Sequence, residues 1–333
     1  MQEEEKSELQ EMRRELSGLR QEVGNLKAEL QAAKEELCRH FDTLIGGCIN
    51  TFHTFEDIKL DNPDVKLVHK INTILLYELK KVCDKHHIEY WIASGTLLGA
   101  ARHQGFIPWD DDLDVGMTRE NVSKLLKVME NHPHFKIKTY FSFSGTEAVQ
   151  FGFRNFNPRI LIDIFTFDFT DFDDKDAYAE QLIKCRGEWV REINKIRTNA
   201  GIPRWNKKDL HLSPEVLKAL DQSFEKVKKA AGVQPDGQYV VEMTYANQDP
   251  YRQIHEKSTV FPLGRAIFEG TEYPAPRNIE KYLRTIFKNY MLFPADVSTT
   301  RHIPFCTYEQ ISLMREAAAW YESSGIREMP CPI

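Results

Sequence analysis

The apolar residues at the start of the chain step by three and four: Leu9, Met12, Leu16, Leu19, Val23, Leu26, Leu30, Ala33 and Leu37. That spacing is an a/d heptad seam and predicts an N-terminal coiled-coil helix over residues 1–40. Glu15, Glu22, Glu29 and Glu36 precede the a positions, and Arg13, Arg20, Lys27 and Lys34 follow the d positions. A parallel pair of such helices sets glutamates against basic residues, whereas an antiparallel pair opposes like charges. The seam therefore predicts a homo-oligomer through residues 9–37. The alternative is a single helix laying its stripe on its own globular domain. Gly18 and Gly24 fall outside the seam and only weaken it.

Beyond a connector over 41–62, Asn62-Pro63 offers a helix cap followed by proline at the first helical position. Val65, Val68, Ile71, Leu75, Leu79 and Val82 then recur at helical spacing, which predicts a helix to about His86. A strand over Ile88–Ala93, a short helix around Leu97–Arg102, a strand over Leu113–Met117 and a helix from Arg119 to about Asn131 follow. Segments near Phe135–Phe141, Val149–Phe156 and Ile160–Phe169 read as β. After Asp171 the pattern turns mainly helical, over roughly 173–197, 213–231, 277–289 and 307–324, with a short strand near Arg265–Phe268. The expected fold is α+β: a mixed β-sheet core with helices over 63–305, a helical C-terminal part, and a last helix and tail over 306–333.

The 333 residues are 41% hydrophobic and 28% charged, enough for one large core with a helical appendage. The 50 acidic side chains outnumber the 44 basic ones for a formal charge of −6, so no global basic field attracts nucleic acid or anionic lipid. No run approaches the ~18 consecutive apolar residues of a membrane span, and the charged N-terminus lacks the apolar stretch of a signal peptide. The sequence as written thus suggests a cytoplasmic protein. Its six scattered cysteines have no CxxC pair and read as free thiols.

The candidate chemistry concentrates between Ser94 and Met117. Side chains alternate along a strand, so Asp112 and Asp114 share one face while Leu113 and Val115 face the core. Two carboxylates so close repel unless a cation lies between them, and hard oxygen ligands suit magnesium or manganese. Asp163, in the apolar run Ile160-Leu161-Ile162-Asp163-Ile164-Phe165, needs a partner to offset its burial, and the neighbouring metal edge is the natural one. Together the three could hold a cation and leave one carboxylate to take a proton from an attacking hydroxyl. Upstream, Ser94-Gly95-Thr96 joins strand to helix, where backbone N–H groups can hold a donor phosphate, with Arg102 and His103 as further candidate contacts. Asp110-Asp111 is read as an aspartate-rich turn, and Phe106 and Trp109 as core aromatics rather than a platform for a base.

The run Gly95-Thr96-Leu97-Leu98-Gly99-Ala100-x-Arg102-His103, followed by Gly105-Phe106-Ile107-Pro108-Trp109-Asp110-Asp111-Asp112-Leu113-Asp114, resembles the hallmark of the LicD family, which also includes fukutin and fukutin-related protein. The likeness extends to Ile162-Asp163-Ile164-Phe165 and to Phe261-Pro262-Leu263, Phe268-Glu269-Gly270, Pro274-x-Pro276, Glu280-Lys281-Tyr282-Leu283, Tyr290-Met291 and Pro294. The resemblance implies a nucleotidyltransferase fold. It also implies metal-dependent transfer of a phospho-alcohol group, phosphocholine or ribitol or glycerol phosphate, from a CDP-linked donor to a glycan hydroxyl, releasing CMP. In that pattern Asp112 and Asp114 match the metal-binding Asp-x-Asp, and Asp163 the third carboxylate. Ile286-Phe287-Lys288-Asn289 departs from the family's Tyr-Gly, and the cysteine-rich zinc insertion of fukutin-related protein has no counterpart, so the bacterial branch is the nearer likeness. Bacterial relatives act in the cytoplasm on membrane-linked glycans, and animal relatives in the Golgi lumen behind an N-terminal anchor. Two other readings keep the same residues: an NTP-dependent nucleotidyltransferase releasing pyrophosphate, and an inactive coiled-coil scaffold.

Overall fold

The computed structural model describes residues 15–16, 18–27, 29–30, 32–33, 36, 62–141, 147–156, 160–201, 213–243, 249–292 and 307–328. Residues 41–61 of the expected connector over 41–62, the outer seam positions Leu9, Met12 and Leu37, and Pro294 lie outside these residues. The chain divides into two compact units, one comprising 1–57 with 292–298 and the other 58–291 with 299–333. In the first, the described residues between 15 and 36 are helical.

The larger unit is α+β. Its first helix, α1 (Pro63–Lys85), starts where Asn62 Oδ1 accepts the N–H groups of Asp64 and Val65, and carries Asp64 in its first turn and Lys85 in its last. Both charges complement the helix dipole. The predicted stripe of Val65, Val68, Ile71, Leu75, Leu79 and Val82 is buried. Then come β1 (Trp91–Ile92), α2 (Ser94–His103), β2 (Leu113–Thr118), α3 (Arg119–Met129), β3 (Phe135–Phe141), β4 (Glu147–Phe153) and β5 (Ile162–Thr170). The C-terminal half supplies α4 (Lys175–Asn199), α5 (Pro214–Ala230), β6 (Tyr239–Glu242), β7 (Ile254–Glu256), α6 (Lys257–Val260), β8 (Gly264–Phe268), β9 (Thr271–Ala275), α7 (Ile279–Phe287) and α8 (Tyr308–Ser324).

Seven strands form one mixed sheet in the order β1-β2-β5-β4-β3, with β6 continuing from the far end of β5 and β7 beside it. The central pair β2–β5 is parallel, with Leu113 opposite Ile162 through Thr118 opposite Phe167. The crossover runs through α3 and the β3–β4 hairpin. Every residue of β2 is buried, as expected of a parallel strand covered on both faces. One end of this pair is tied by Arg119, at the start of α3, whose Nε and Nη2 donate to the buried Asp168 carboxylate at 2.7–3.1 Å. Beside it, Trp91 of β1 faces Gly116 of β2, and a Cβ built on Gly116 would stand 2.3 Å from the Trp91 ring. Glycine at that position is what lets the indole lie across the strand.

The C-terminal half is less helical than the pattern after Asp171 predicts. Strands β6 and β7 have four and three residues, too short to show an alternation. In β9, Pro274 reads as a strand breaker but sits opposite Arg265 in a two-stranded hairpin, where a missing N–H is tolerated. The predicted strand over Ile88–Ala93 shrinks to Trp91–Ile92, because only these two residues pair in register with β2, Ala93 adding a single N–H to the Asp114 carbonyl. Helices α4 and α5 enclose a second core around Trp189 and Phe224. Within it the buried Arg186 donates to Gln253 and to the Glu242 carbonyl, and Gln253 in turn donates to the Glu242 carboxylate. Helix α8 belongs to the same unit as α1, with Tyr321 donating to Glu78 Oε1 at 2.6 Å. Cys83 and Cys185 are buried.

Packing and protonation in this unit can each be tested with a single substitution. Gly116→Ala drives a methyl into the Trp91 ring, and overpacking of this kind costs about 1–3 kcal/mol; urea denaturation should show a lower midpoint than wild type at unchanged slope. His132 is buried, its Nδ1 accepts the N–H groups of His134 and Phe135, and burial pushes its pKa down from 6.5 to about 4. Its unprotonated form is the one the fold uses, so its contribution is whole above pH 6.5 and is lost as pH falls toward about 4. His132→Asn keeps an acceptor without the titration, and its melting temperature should drop less across that window than that of the wild type.

Candidate active site

The site is built where β2, β5 and the start of α2 meet. In the parallel register Asp114 lies opposite Asp163, on adjacent strands. Asp112 precedes β2 by one residue and is half-buried, whereas Asp114 is buried. Helix α2 begins directly against them: the Gly95 N–H points at Asp114 Oδ2 at 3.4 Å, and Thr96 Oγ1 accepts the Asp114 N–H at 2.7 Å. Ser94, which makes the turn from strand to helix, holds a positive φ of 41°, a strained conformation for a residue with a side chain. A Cβ on Gly95 would stand 2.9 Å from Asp110 Oδ2, so a larger residue there would collide with the acidic loop.

Asp110 belongs to this cluster as well. Its N–H closes the Ile107–Asp110 turn, as the reading of an aspartate-rich turn expects. Its carboxyl, however, is pushed up to about 8, by burial first and then by the negative charge of Asp112, to which it is hydrogen-bonded, and of Asp111. The signal was present in the period of two, since Asp110, Asp112 and Asp114 alternate with Asp111 and Leu113. The Asp114 carboxyl is also held well above the usual range, by burial first and then by the charges of Asp112, Asp163 and Asp110, with the Gly95 N–H working the other way. Asp163 Oδ1 accepts a 2.7 Å hydrogen bond from Gln150 Nε2 on the neighbouring β4.

The loop carrying these aspartates is clamped from two sides by residues that sequence spacing gave no reason to group. From α1, His69 Nε2 donates to the Asp110 carbonyl at 2.6 Å and Asn72 Nδ2 to the Asp111 carbonyl at 3.2 Å. Burial lowers the His69 pKa, and its ring stacks on Phe106 at 4.0 Å. From the turn between β8 and β9, Glu269 Oε1 accepts the Phe106 N–H at 3.1 Å, and its carboxylate fills the space a Cβ on Gly105 would take. Phe106 and Trp109 are buried core residues. Arg102 and His103 occupy the last turn of α2, about 12 Å along the helix axis from Ser94 at 1.5 Å per residue. Burial lowers the Arg102 pKa to about 10, against the opposing effect of Tyr290, and that of His103 to about 4.

The arrangement is a largely buried acidic cluster at the start of the central strands, beside a helix N-terminus. Among the described residues no three His, Cys, Asp or Glu side chains close into a ready-made metal cage. Two surface concavities, one lined by Asn278, Lys281 and Arg284 and one by Asp171, Tyr239, Lys257 and Phe261, contain none of these carboxylates. No helix among the described residues is long and apolar enough to cross a membrane.

The LicD/FKTN/FKRP nucleotidyltransferase domain matches residues 87–202, a span that contains α2, the acidic loop, β2 and β5. Among curated proteins, the lipopolysaccharide cholinephosphotransferase LicD of Haemophilus influenzae is 32% identical over 132 residues, 33% of this chain and 50% of that protein. An uncharacterized protein of Rickettsia typhi is 40% identical over 90 residues, covering 25% of this chain and 28% of its own. The human ribitol 5-phosphate transferase FKRP is 54% identical over 35 residues, 10% of this chain and 7% of that protein. The chain thus spans half or less of the length of these relatives. The aspartates at the start of the central strands thus lie within the span that resembles the LicD/FKTN/FKRP nucleotidyltransferase domain.

Proposed function

We propose that this protein transfers a phospho-alcohol group from a CDP-linked donor to a hydroxyl of a glycan acceptor, with release of CMP, in a reaction that depends on a divalent cation. The observation that carries the reading is the register that sets Asp114 opposite Asp163 beside Asp112 and Asp110 at the start of α2. The names of its relatives, a cholinephosphotransferase and a ribitol 5-phosphate transferase, give the two groups to test first.

The residues fit a hard cation. The donor set is all oxygen, and the raised Asp110 and Asp114 pKa values have like-charge repulsion among their causes, which a cation would relieve. Magnesium or manganese would be held by Asp112, Asp114 and Asp163, with substrate phosphate and water completing the shell. Bound there, such an ion supplies neutralising charge for the transferring phosphoryl group and the departing phosphate. Asp163, oriented by Gln150, takes the proton of the acceptor hydroxyl as its oxygen forms the new bond to phosphorus. The bond from that phosphorus to the CMP oxygen breaks, and CMP carries away the electron pair. The Ser94–Thr96 turn orients the donor diphosphate through backbone N–H groups, and Thr96 holds β2 in place for it through Asp114 N. Arg102 and His103, at the other end of α2, are left the part of the donor remote from the phosphates.

Incubation with magnesium and CDP-choline, CDP-ribitol, CDP-glycerol or NTPs, with a mixed glycan acceptor, checks the reading. CMP should appear from one CDP donor and fall by about 10²–10³-fold in Asp112→Ala. Pyrophosphate from an NTP would replace it with nucleotidyl transfer, and no product from any donor would favour the scaffold. A thermal melt supplies a readout apart from turnover, because a ligand that binds only the folded state raises the melting temperature. Magnesium or manganese should stabilise the wild type and fail to stabilise Asp114→Asn. Without metal, Asp114→Asn should melt at or above the wild-type temperature, because it removes a buried like charge.

A further inference from the structure

We infer that residues 9–37 join two copies of this chain in a parallel, in-register coiled coil, whatever reaction the globular domain carries out. Among the described residues of this segment, every one is helical and exposed. Leu16, Leu19, Val23, Leu26 and Leu30 fall on one seam and are 49–72% exposed. Gly18 and Gly24 meet nothing within 4 Å and lower the helix's own propensity. Such a helix draws its stability from packing its apolar stripe, and the described residues of that stripe are exposed.

Charge selects the occupant. Glu15, Glu22 and Glu29 stand at g, and Arg20 and Lys27 at e. In a parallel pair Glu15 faces Arg20 and Glu22 faces Lys27 of the other copy, on both sides of the seam, and Glu29 faces Lys34. The complement of this helix is therefore the helix itself, and an antiparallel partner would oppose glutamate to glutamate. Val23 at a with Leu26 at d is the combination that favours two strands.

The full-length chain at micromolar concentration should elute at twice its chain mass by light scattering. Glu15→Lys/Glu22→Lys/Glu29→Lys should run at the single-chain mass with the melting transition of the globular domain retained. Mixing it with Arg13→Glu/Arg20→Glu/Lys27→Glu/Lys34→Glu should restore a one-to-one pair. The Leu19→Cys variant, once oxidised, should yield a disulfide between the two copies of position 19, identified by peptide mapping. A wild-type chain that elutes alone, or as three or more copies, overturns the inference. So does a glutamate-to-lysine variant that still pairs, or a Leu19→Cys variant whose new thiol links only to positions off the seam.

Discussion

Mutual repulsion among the carboxylates at the end of β2 is the constraint around which the rest of the larger unit is arranged. Asp114 opposite Asp163, with Asp112 and Asp110 alongside, concentrates negative charge at the start of the two central strands, where burial has already raised its cost. Left to itself, such a loop would swing its charges into water. It is held instead by its backbone: the carbonyls of Asp110 and Asp111 accept from His69 and Asn72, and the Phe106 N–H just before them is taken by Glu269. These contacts fix the loop through its main chain rather than through its carboxylates. The pattern is what a preorganised charged site requires, since the groups that orient it must not be the groups that react.

The clamps work only because the two parallel strands cannot slide. A shift of one residue would turn Asp114 to the opposite face and place an apolar side chain against Asp163. Two features pin the register. The bidentate Arg119–Asp168 pair locks the far end of β2 to β5, and removing the arginine would leave the buried Asp168 carboxylate without its charge partner. The Trp91 ring over Gly116 fixes β1 at the middle of β2, and Trp91 in turn donates to the Tyr282 hydroxyl on α7 at 3.5 Å. The C-terminal half thus reaches the acidic cluster both through this aromatic contact and through the Glu269 carboxylate.

Much of this was legible in the sequence, for reasons that are local. The stripe from Val65 to Val82 and the Asn62-Pro63 cap wrote α1 to within a residue, and period-two alternation put Asp112 and Asp114 on one side. The same alternation includes Asp110, which the Pro108-Trp109 turn chemistry disguised. What could not be read is what depends on distance along the chain. His69 and Asp110 are 41 residues apart, Phe106 and Glu269 are 163 apart, and neither pair carries a periodic signature. Strands β6 and β7 were missed for another reason: three or four residues whose place is set by the neighbouring β5 have too little pattern of their own.

The start of α2 brings the electrostatics to a point. Helix N-termini attract anions, and Ser94-Gly95-Thr96 invites the reading of a phosphate cradle. Yet the Gly95 N–H already points at Asp114, and the Thr96 hydroxyl already accepts the Asp114 N–H. A donor diphosphate brought to this place meets a helix end whose positive charge is shared with a buried carboxylate, and three further carboxylates besides. Negative would be stacked on negative. The partial charge of one helix end, worth typically about 0.3–1 kcal/mol at exposed sites, is too small to offset that. A divalent cation between carboxylates and phosphate removes the conflict, with the helix end left to orient rather than to neutralise. The crowding of charge at Asp110, Asp112, Asp114 and Asp163 is thus the physical argument behind the proposed cation dependence, and it stands on this chain's own residues.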